Sequence, residues 1–160
     1  MSVFMKTNTV LGRRQMLKAV GMGAFALAGS GMVSTEANAT ADAASRYLSK
    51  VTGGAAAKEG RVSLKLPEIA ENGRTVPVTV SVDSPMSDSD YVKTVHVVAE
   101  GNPNPEVVSF NMSPGMGKAE VSTRIRLGKT QNVRAVAVMS DGSVYSGTKE
   151  VKVTIGGCGG

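Results

Sequence analysis

The sequence predicts a mainly β fold, an immunoglobulin-like β-sandwich with a short N-terminal helix and a flexible C-terminal arm. Three observations lead there. From Arg61 onward, apolar residues recur at every second position in a succession of short runs. Turn-forming clusters separate about seven such runs at intervals of roughly ten to fifteen residues, the rhythm of a sandwich. No long helical pattern alternates with the runs, which argues against an α/β fold.

The first 39 residues read as a targeting segment and not as part of that fold. Arg13 and Arg14 stand just ahead of an uncharged, Ala-, Gly- and Met-rich stretch from Ala19 to Val33. That stretch is shorter than the ~20 residues a membrane-spanning helix needs. Ala37-Asn38-Ala39 then supplies the small-residue pattern of a cleavage site, so residues 1–39 have the three parts of a signal peptide. An ordinary secretory signal with two chance arginines is the alternative. The order Arg-Arg-x-Met-Leu-Lys before a weakly apolar stretch fits the twin-arginine type better. The expectation is therefore a periplasmic protein exported by the twin-arginine route, with no stable membrane association.

Loss of residues 1–39 changes the charge balance. Lys6, Arg13, Arg14 and Lys18 leave with Glu36, so 18 basic and 13 acidic residues become 14 against 12. The basic character is largely a property of the signal, and no nucleic-acid footprint remains. About 120 residues are left, enough for one domain with one core.

Within that domain, residues 40–155, Ala44, Tyr47, Leu48 and Val51 recur at i, i+3, i+4 and i+7. This spacing predicts a helix over 40–52, ended by Gly53 and Gly54. Strand alternation follows in Val62, Leu64 and Leu66, in Val76, Val78, Val80 and Val82, and in Val95, Val97 and Ala99. It is clearest in Ala119, Val121, Thr123, Ile125 and Leu127, set against Glu120, Ser122, Arg124 and Arg126. Val133 to Met139 is apolar on nearly both faces, as a central strand would be. Asp141-Gly142 predicts a two-residue hairpin turn with positive φ at both central positions. Val144 to Ile155 closes the series, with Val151, Val153 and Ile155 on one face. Glu71-Asn72-Gly73, Ser84-Pro85, Asn102-Pro103-Asn104-Pro105 and Ser113-Pro114-Gly115 are turn chemistry. The disulfide and tryptophan of true immunoglobulin domains are missing, so the likeness is one of architecture.

Familiar catalytic material is scarce. His96 is the only histidine and cannot build a common zinc site, so it reads as a structural or surface residue. Asp83, Asp88 and Asp90 lack the spacing of a calcium loop and read as a solvated loop. Gly115-Met116-Gly117-Lys118 has no strand-loop-helix context for a phosphate loop and reads as a turn. Five of the nine methionines belong to the signal; Met86, Met112, Met116 and Met139 read as core or surface fill. No metal is expected.

The remaining feature is the C-terminal segment 156–160, Gly156-Gly157-Cys158-Gly159-Gly160, which contains the chain's one cysteine. A single cysteine forms no internal disulfide, and in an oxidising compartment it implies a reactive thiol or an intermolecular partner. Glycines lack a Cβ, so the segment combines wide backbone freedom with minimal bulk. Five extended residues reach about 16 Å, enough to carry a sulfur atom into a narrow cleft. The nearest cationic side chain, Lys152, lies six residues back, so the chemistry is expected from partner enzymes acting on Cys158. An incidental cysteine on a disordered tail is the bland reading, and four glycines flanking the sole cysteine speak against it.

The Gly-Gly-Cys-Gly-Gly ending, the twin-arginine signal and the β-rich body resemble the SoxY family of sulfur carriers. The stretch Pro67-Glu68-Ile69-Ala70-Glu71-Asn72-Gly73 with Val76-Pro77-Val78 is similar to that family as well. The resemblance implies a carrier acted on by enzymes, not an enzyme, and no cofactor beyond sulfur species held covalently on Cys158. It implies a heterodimer with SoxZ and transient contacts with a SoxAX cytochrome, a SoxB hydrolase and a sulfur dehydrogenase. It assigns Cys158 as the covalent site and Gly156, Gly157, Gly159 and Gly160 as its arm. Two other readings stand beside it. A ubiquitin-like carrier would hold sulfur on its terminal carboxylate, but its activation needs ATP, which the periplasm lacks. An exported β-sandwich interaction module would be tethered to a partner by a Cys158 disulfide.

Overall fold

The computed structural model describes residues 35–156, with side-chain surroundings from residue 41 onward. The predicted signal, apart from its last residues, and the segment 157–160 lie outside the described residues.

Helix α1 runs from Thr35 to Val51. It starts earlier than position 40 because nothing in the Thr-, Ala- and Asn-containing residues 35–39 breaks a helix. The Ala37-Asn38-Ala39 motif therefore falls inside α1. The helix ends at Gly53 and Gly54, both at positive φ (62° and 80°), where a Cβ would be strained.

Nine strands follow: β1 (Lys58–Glu59), β2 (Val62–Lys65), β3 (Ile69–Asn72), β4 (Val76–Val82), β5 (Val92–Ala99), β6 (Glu106–Asn111), β7 (Glu120–Ile125), β8 (Gln131–Met139) and β9 (Val144–Ile155). They form two sheets. The larger has the order β1-β9-β8-β5-β6, with β3 also paired to β9, and the smaller is β2-β4-β7. This is the expected sandwich, with three more strands than the alternation marked out: β1, β3 and β6.

The two sheets close on an apolar core. β4 gives Val76, Val78, Val80 and Val82 from one side, and β5 and β8 give Val95, Val97, Ala99, Val133, Ala135, Ala137 and Met139 from the other. Each fully buried side chain of this size contributes about 1.5–3 kcal/mol of transfer free energy. Met86 and Met112 join the same core, while Met116 is exposed in the short 3-10 turn Pro114–Met116.

β5 and β8 are also covered on their outer face, which is why β8 reads as a nearly continuous apolar run. Ala44 of α1 is buried, as are Val98 and Val136 on that face of the sheet. Tyr47 reaches from α1 to His96 on β5 and Ser109 on β6, with hydroxyl contacts of 3.3 and 3.2 Å. The helix is thus latched to the sheet by a hydrogen-bonded group as well as by apolar packing.

The β8–β9 hairpin differs from the expected two-residue turn in two respects: the connection runs from Ser140 to Ser143, and only one of the two central residues takes a positive φ. Gly142 has φ 83°, but Asp141 does not adopt a positive φ. The Asp141 carboxylate accepts hydrogen bonds from the Ser143 N–H (2.8 Å) and hydroxyl (2.6 Å), and this local closure holds Asp141 in an ordinary conformation. Those same bonds draw the Asp141 carboxyl below its ordinary pKa.

Candidate functional site

The predicted site is reached through β9, the longest strand at 12 residues. One edge of β9 pairs antiparallel with β8 from Val144 to Val151. The other edge pairs parallel with β1 at Tyr145 and Ser146 and with β3 from Lys152 to Ile155. The strand that carries the C-terminal segment is therefore held almost to its last residue.

The place where the chain leaves β9 is built from two connections, β3–β4 and β7–β8. The Ile155 carbonyl accepts the Gly73 N–H at 2.8 Å, and the Gly73 carbonyl in turn accepts the Leu127 N–H at 2.7 Å. The Val153 N–H donates to the Thr130 hydroxyl at 3.0 Å, and the Thr154 hydroxyl donates to the Glu71 carbonyl at 2.9 Å. Gly156 then packs its Cα against the Gly128 carbonyl. A Cβ built at Gly156 would overlap that oxygen and approach the carbonyl carbon to 3.3 Å. Of the five predicted arm residues, Gly156 is the one described; Gly157, Cys158, Gly159 and Gly160 lie outside the described residues. Arg74, Arg126, Lys129 and Lys152 are exposed on the segments that make the exit, together with Glu71.

A buried polar group stands behind the 126–131 loop. Asn102 and Gln131 are each 7% exposed. The Asn102 Nδ2 donates to the Arg126 carbonyl at 2.9 Å, while its Oδ1 accepts the Gly128 N–H at 3.0 Å and the Gln131 Nε2 at 2.9 Å. Gln131 Nε2 also donates to the Lys129 carbonyl at 3.1 Å, and its Oε1 accepts the Gly101 N–H at 2.7 Å. Sequence reasoning placed Asn102 in a turn and did not single out Gln131. The signal available was a polar residue heading the otherwise apolar run of β8.

His96, read from sequence as structural or surface, is buried at 9% exposure. Its Nδ1 lies 2.7 Å from the Ser109 hydroxyl, and its ring meets the Tyr47 ring edge-on at 6.1 Å. Burial pushes its pKa below the ordinary value, opposed by the nearby Glu106 carboxylate. Burial likewise raises the Tyr47 hydroxyl pKa. Among the described residues, no cluster of three or more His, Cys, Asp or Glu is placed to hold a metal ion. Asp83, Asp88 and Asp90 accordingly form no such group. Among the described residues, no helix is long and apolar enough to cross a membrane.

These features define a class: a two-sheet β-sandwich whose last strand leads directly into a glycine segment bearing its single thiol. The chain belongs to the SoxY family. The model of that family, described as sulfur oxidation protein SoxY, matches residues 48–158 and so includes Cys158. The structure is similar to the sulfur carrier protein SoxY from Chlorobium limicola f thiosulfatophilum. Identity is 36%, the match covers 72% of this chain and 99% of that one, and the TM-score is 0.61. A superoxide reductase (neelaredoxin) from Ignicoccus hospitalis is similar at 22% identity, covering 59% of this chain and 80% of that one, with TM-score 0.53. That second likeness is one of fold alone. Comparison with curated proteins gives no match.

Proposed function

We propose that this chain is a periplasmic sulfur carrier that holds thiosulfate-derived sulfur on Cys158 and presents it to the enzymes of a Sox system. The observation that carries the reading is the sole cysteine, set among four glycines two residues beyond the end of the described chain in a SoxY-family protein. The carrier is a substrate for its partners and not an enzyme, and it works as a heterodimer with SoxZ. Gly156, Gly157, Gly159 and Gly160 form the carrier arm, and no cofactor is required beyond the covalent sulfur.

The chemistry balances with partners of three kinds. In loading, the Cys158 thiol loses its proton and forms a disulfide-type bond to the outer sulfur of thiosulfate. Two electrons pass to a haem protein of SoxAX type. A SoxB-type hydrolase then adds water across the bond to the sulfone, releasing sulfate and a proton and leaving a persulfide on Cys158. A persulfide is a reversible state open to an accessible cysteine. A sulfur dehydrogenase removes the remaining sulfur oxidatively. The protein's part is to keep one thiol accessible and unbranched in its surroundings.

The test is intact mass spectrometry of the protein with its partners and thiosulfate. Wild type gains sulfur-bearing adducts, while Cys158→Ser gains none and keeps the circular dichroism of the β-sandwich. Adducts on the variant would overturn the assignment.

A further inference from the structure

We propose that Gly156 is a fixed root rather than a free member of the arm, and that Asn102 and Gln131 are positioning residues that aim the chain leaving β9. The proposal rests on the carrier reading for its purpose, but its geometry stands on residues that reading does not use.

The physical argument begins with where polar groups are buried. Among the described residues, three polar side chains are buried: His96, Asn102 and Gln131. Two of the three support one loop. An unsatisfied buried amide costs about 1–3 kcal/mol, so such groups persist where their bonds are complete. Here they are. Asn102 fixes the Arg126 carbonyl and the Gly128 N–H, and Gln131 fixes the Lys129 carbonyl and ties the loop to Gly101. The loop is thus pinned at three positions, Arg126, Gly128 and Lys129.

The pinned loop determines the path of the C-terminus. Leu127 bonds Gly73, Gly73 bonds Ile155, and the Gly128 carbonyl bears directly on the Cα of Gly156. The peptide group entering Gly156, and its Cα, therefore follow a loop that is itself held by buried amides. Glycine is required at 156 for close approach and not for conformational freedom.

From this root to Cys158 there are two residues, at most about 7 Å of extended chain. On so short a leash, the direction at the root decides where the sulfur can go. A tilt of about 30° there moves the Cys158 Cα by roughly 4 Å. Misplacement of a reacting atom by even ~1 Å can cost on the order of a hundredfold in rate.

Pulsed electron paramagnetic resonance on the mature chain bound to SoxZ tests this directly. One nitroxide sits on Cys158 and a second on the exposed β2 position through Ser63→Cys. β2 packs near Gly147, so the spacing is set by the stretch of β9 from Gly147 to Ile155, about 26 Å at ~3.3 Å per residue, plus the reach of the residues beyond it. Gly156→Ala is expected to displace or broaden the distance distribution by about 3 Å, while Gly157→Ala moves it far less. Asn102→Asp, which keeps both accepting contacts and loses the donor to Arg126, is expected to shift it in the same way with no added bulk at the root. In Gly156→Ala the melting temperature and the rate of Cys158 alkylation by iodoacetamide in unlabelled protein are expected to stay near wild type. Asn102→Asp, which sets a carboxylate oxygen against the Arg126 carbonyl, is expected to lower the melting temperature while keeping the circular dichroism of the β-sandwich, and enzymatic loading falls roughly tenfold in both. An unchanged distribution in Gly156→Ala and Asn102→Asp, or an equal shift in Gly157→Ala, would overturn the proposal. The distance readout does not depend on sulfur chemistry, so loss of the carrier reading through the Cys158→Ser assay would register separately.

Discussion

His96 and Ser109 face each other across the β5–β6 ladder, and the imidazole Nδ1 lies 2.7 Å from the serine hydroxyl. Tyr47 brings its own hydroxyl to 3.3 Å from the same nitrogen, so a cross-strand pair becomes the anchor for α1. The histidine serves the fold.

That anchor predicts a pH dependence of stability. Burial favours the neutral imidazole and Glu106 on β6 opposes it; burial wins, and the folded pKa lies below the ordinary 6.5. Tyr47, whose own pKa is raised, stays neutral throughout this range. The unfolded chain then binds more protons than the folded one wherever pH lies between the two pKa values. Stability present above about 6.5 is lost as pH falls toward the folded value. Urea midpoints measured from pH 8 to pH 5 should decline in wild type, and His96→Gln should flatten that component. Equal slopes in the two proteins would remove His96 from the account.

A second prediction concerns Gly147 on β9. A Cβ there would stand 2.6 Å from the Val62 carbonyl oxygen of β2, where backbone and not a movable side chain is the obstacle. Gly147→Ala should therefore cost about 1–3 kcal/mol as an overpacking change. Denaturant unfolding measures this, and a neutral result would show that β2 can withdraw from β9 without loss.

Much of this fold was legible because burial in a sandwich imposes a period of two. β2, β4, β5, β7 and β9 showed that alternation, β8 showed the two-faced apolar run of a central strand, and each is a strand. β6 was missed because its residues alternate only weakly between half-buried and exposed. β1 and β3 were missed for another reason: both are short and pair parallel to β9, and such pairing leaves no mark on hydrophobic spacing. The burial of His96 was hidden because α1 covers the outer face of the sheet, which strand periodicity assigns to solvent. The thiol itself was plain in the sequence, as a lone cysteine among glycines. Its support by Asn102 and Gln131 was not, since nothing in spacing links residues 29 positions apart.

A third prediction concerns export. The twin-arginine route carries folded proteins, so a folded heterodimer could cross on one signal. Replacing Arg13 and Arg14 by Lys should hold both this chain and its SoxZ partner in the cytoplasm, as read by fractionation and immunoblotting. A partner that still reached the periplasm at the normal level would show that the two are not exported together.

The last prediction separates the arm from its root. β9 contributes Val151 and Val153 to the core and its packing, and that core is closed by residues well before 157. Substitution beyond the root should then leave the fold alone while changing what a partner's cleft must accept. A Cβ narrows the allowed backbone conformations, and a branched side chain widens the segment on both sides of the thiol. Gly157→Val and Gly159→Val should each shift the melting temperature by no more than about 1–2 °C, less than a 1 kcal/mol change would produce in a domain of this size. Alkylation of Cys158 by iodoacetamide should proceed within about twofold of wild type, because a small reagent needs little room. Turnover by the loading and hydrolysing enzymes should nevertheless fall by roughly tenfold or more, the expected result of a misplaced reacting atom. Full turnover with valine at both positions would mean that the segment is a tether whose width is irrelevant, and that specificity lies in how the partners dock on the domain.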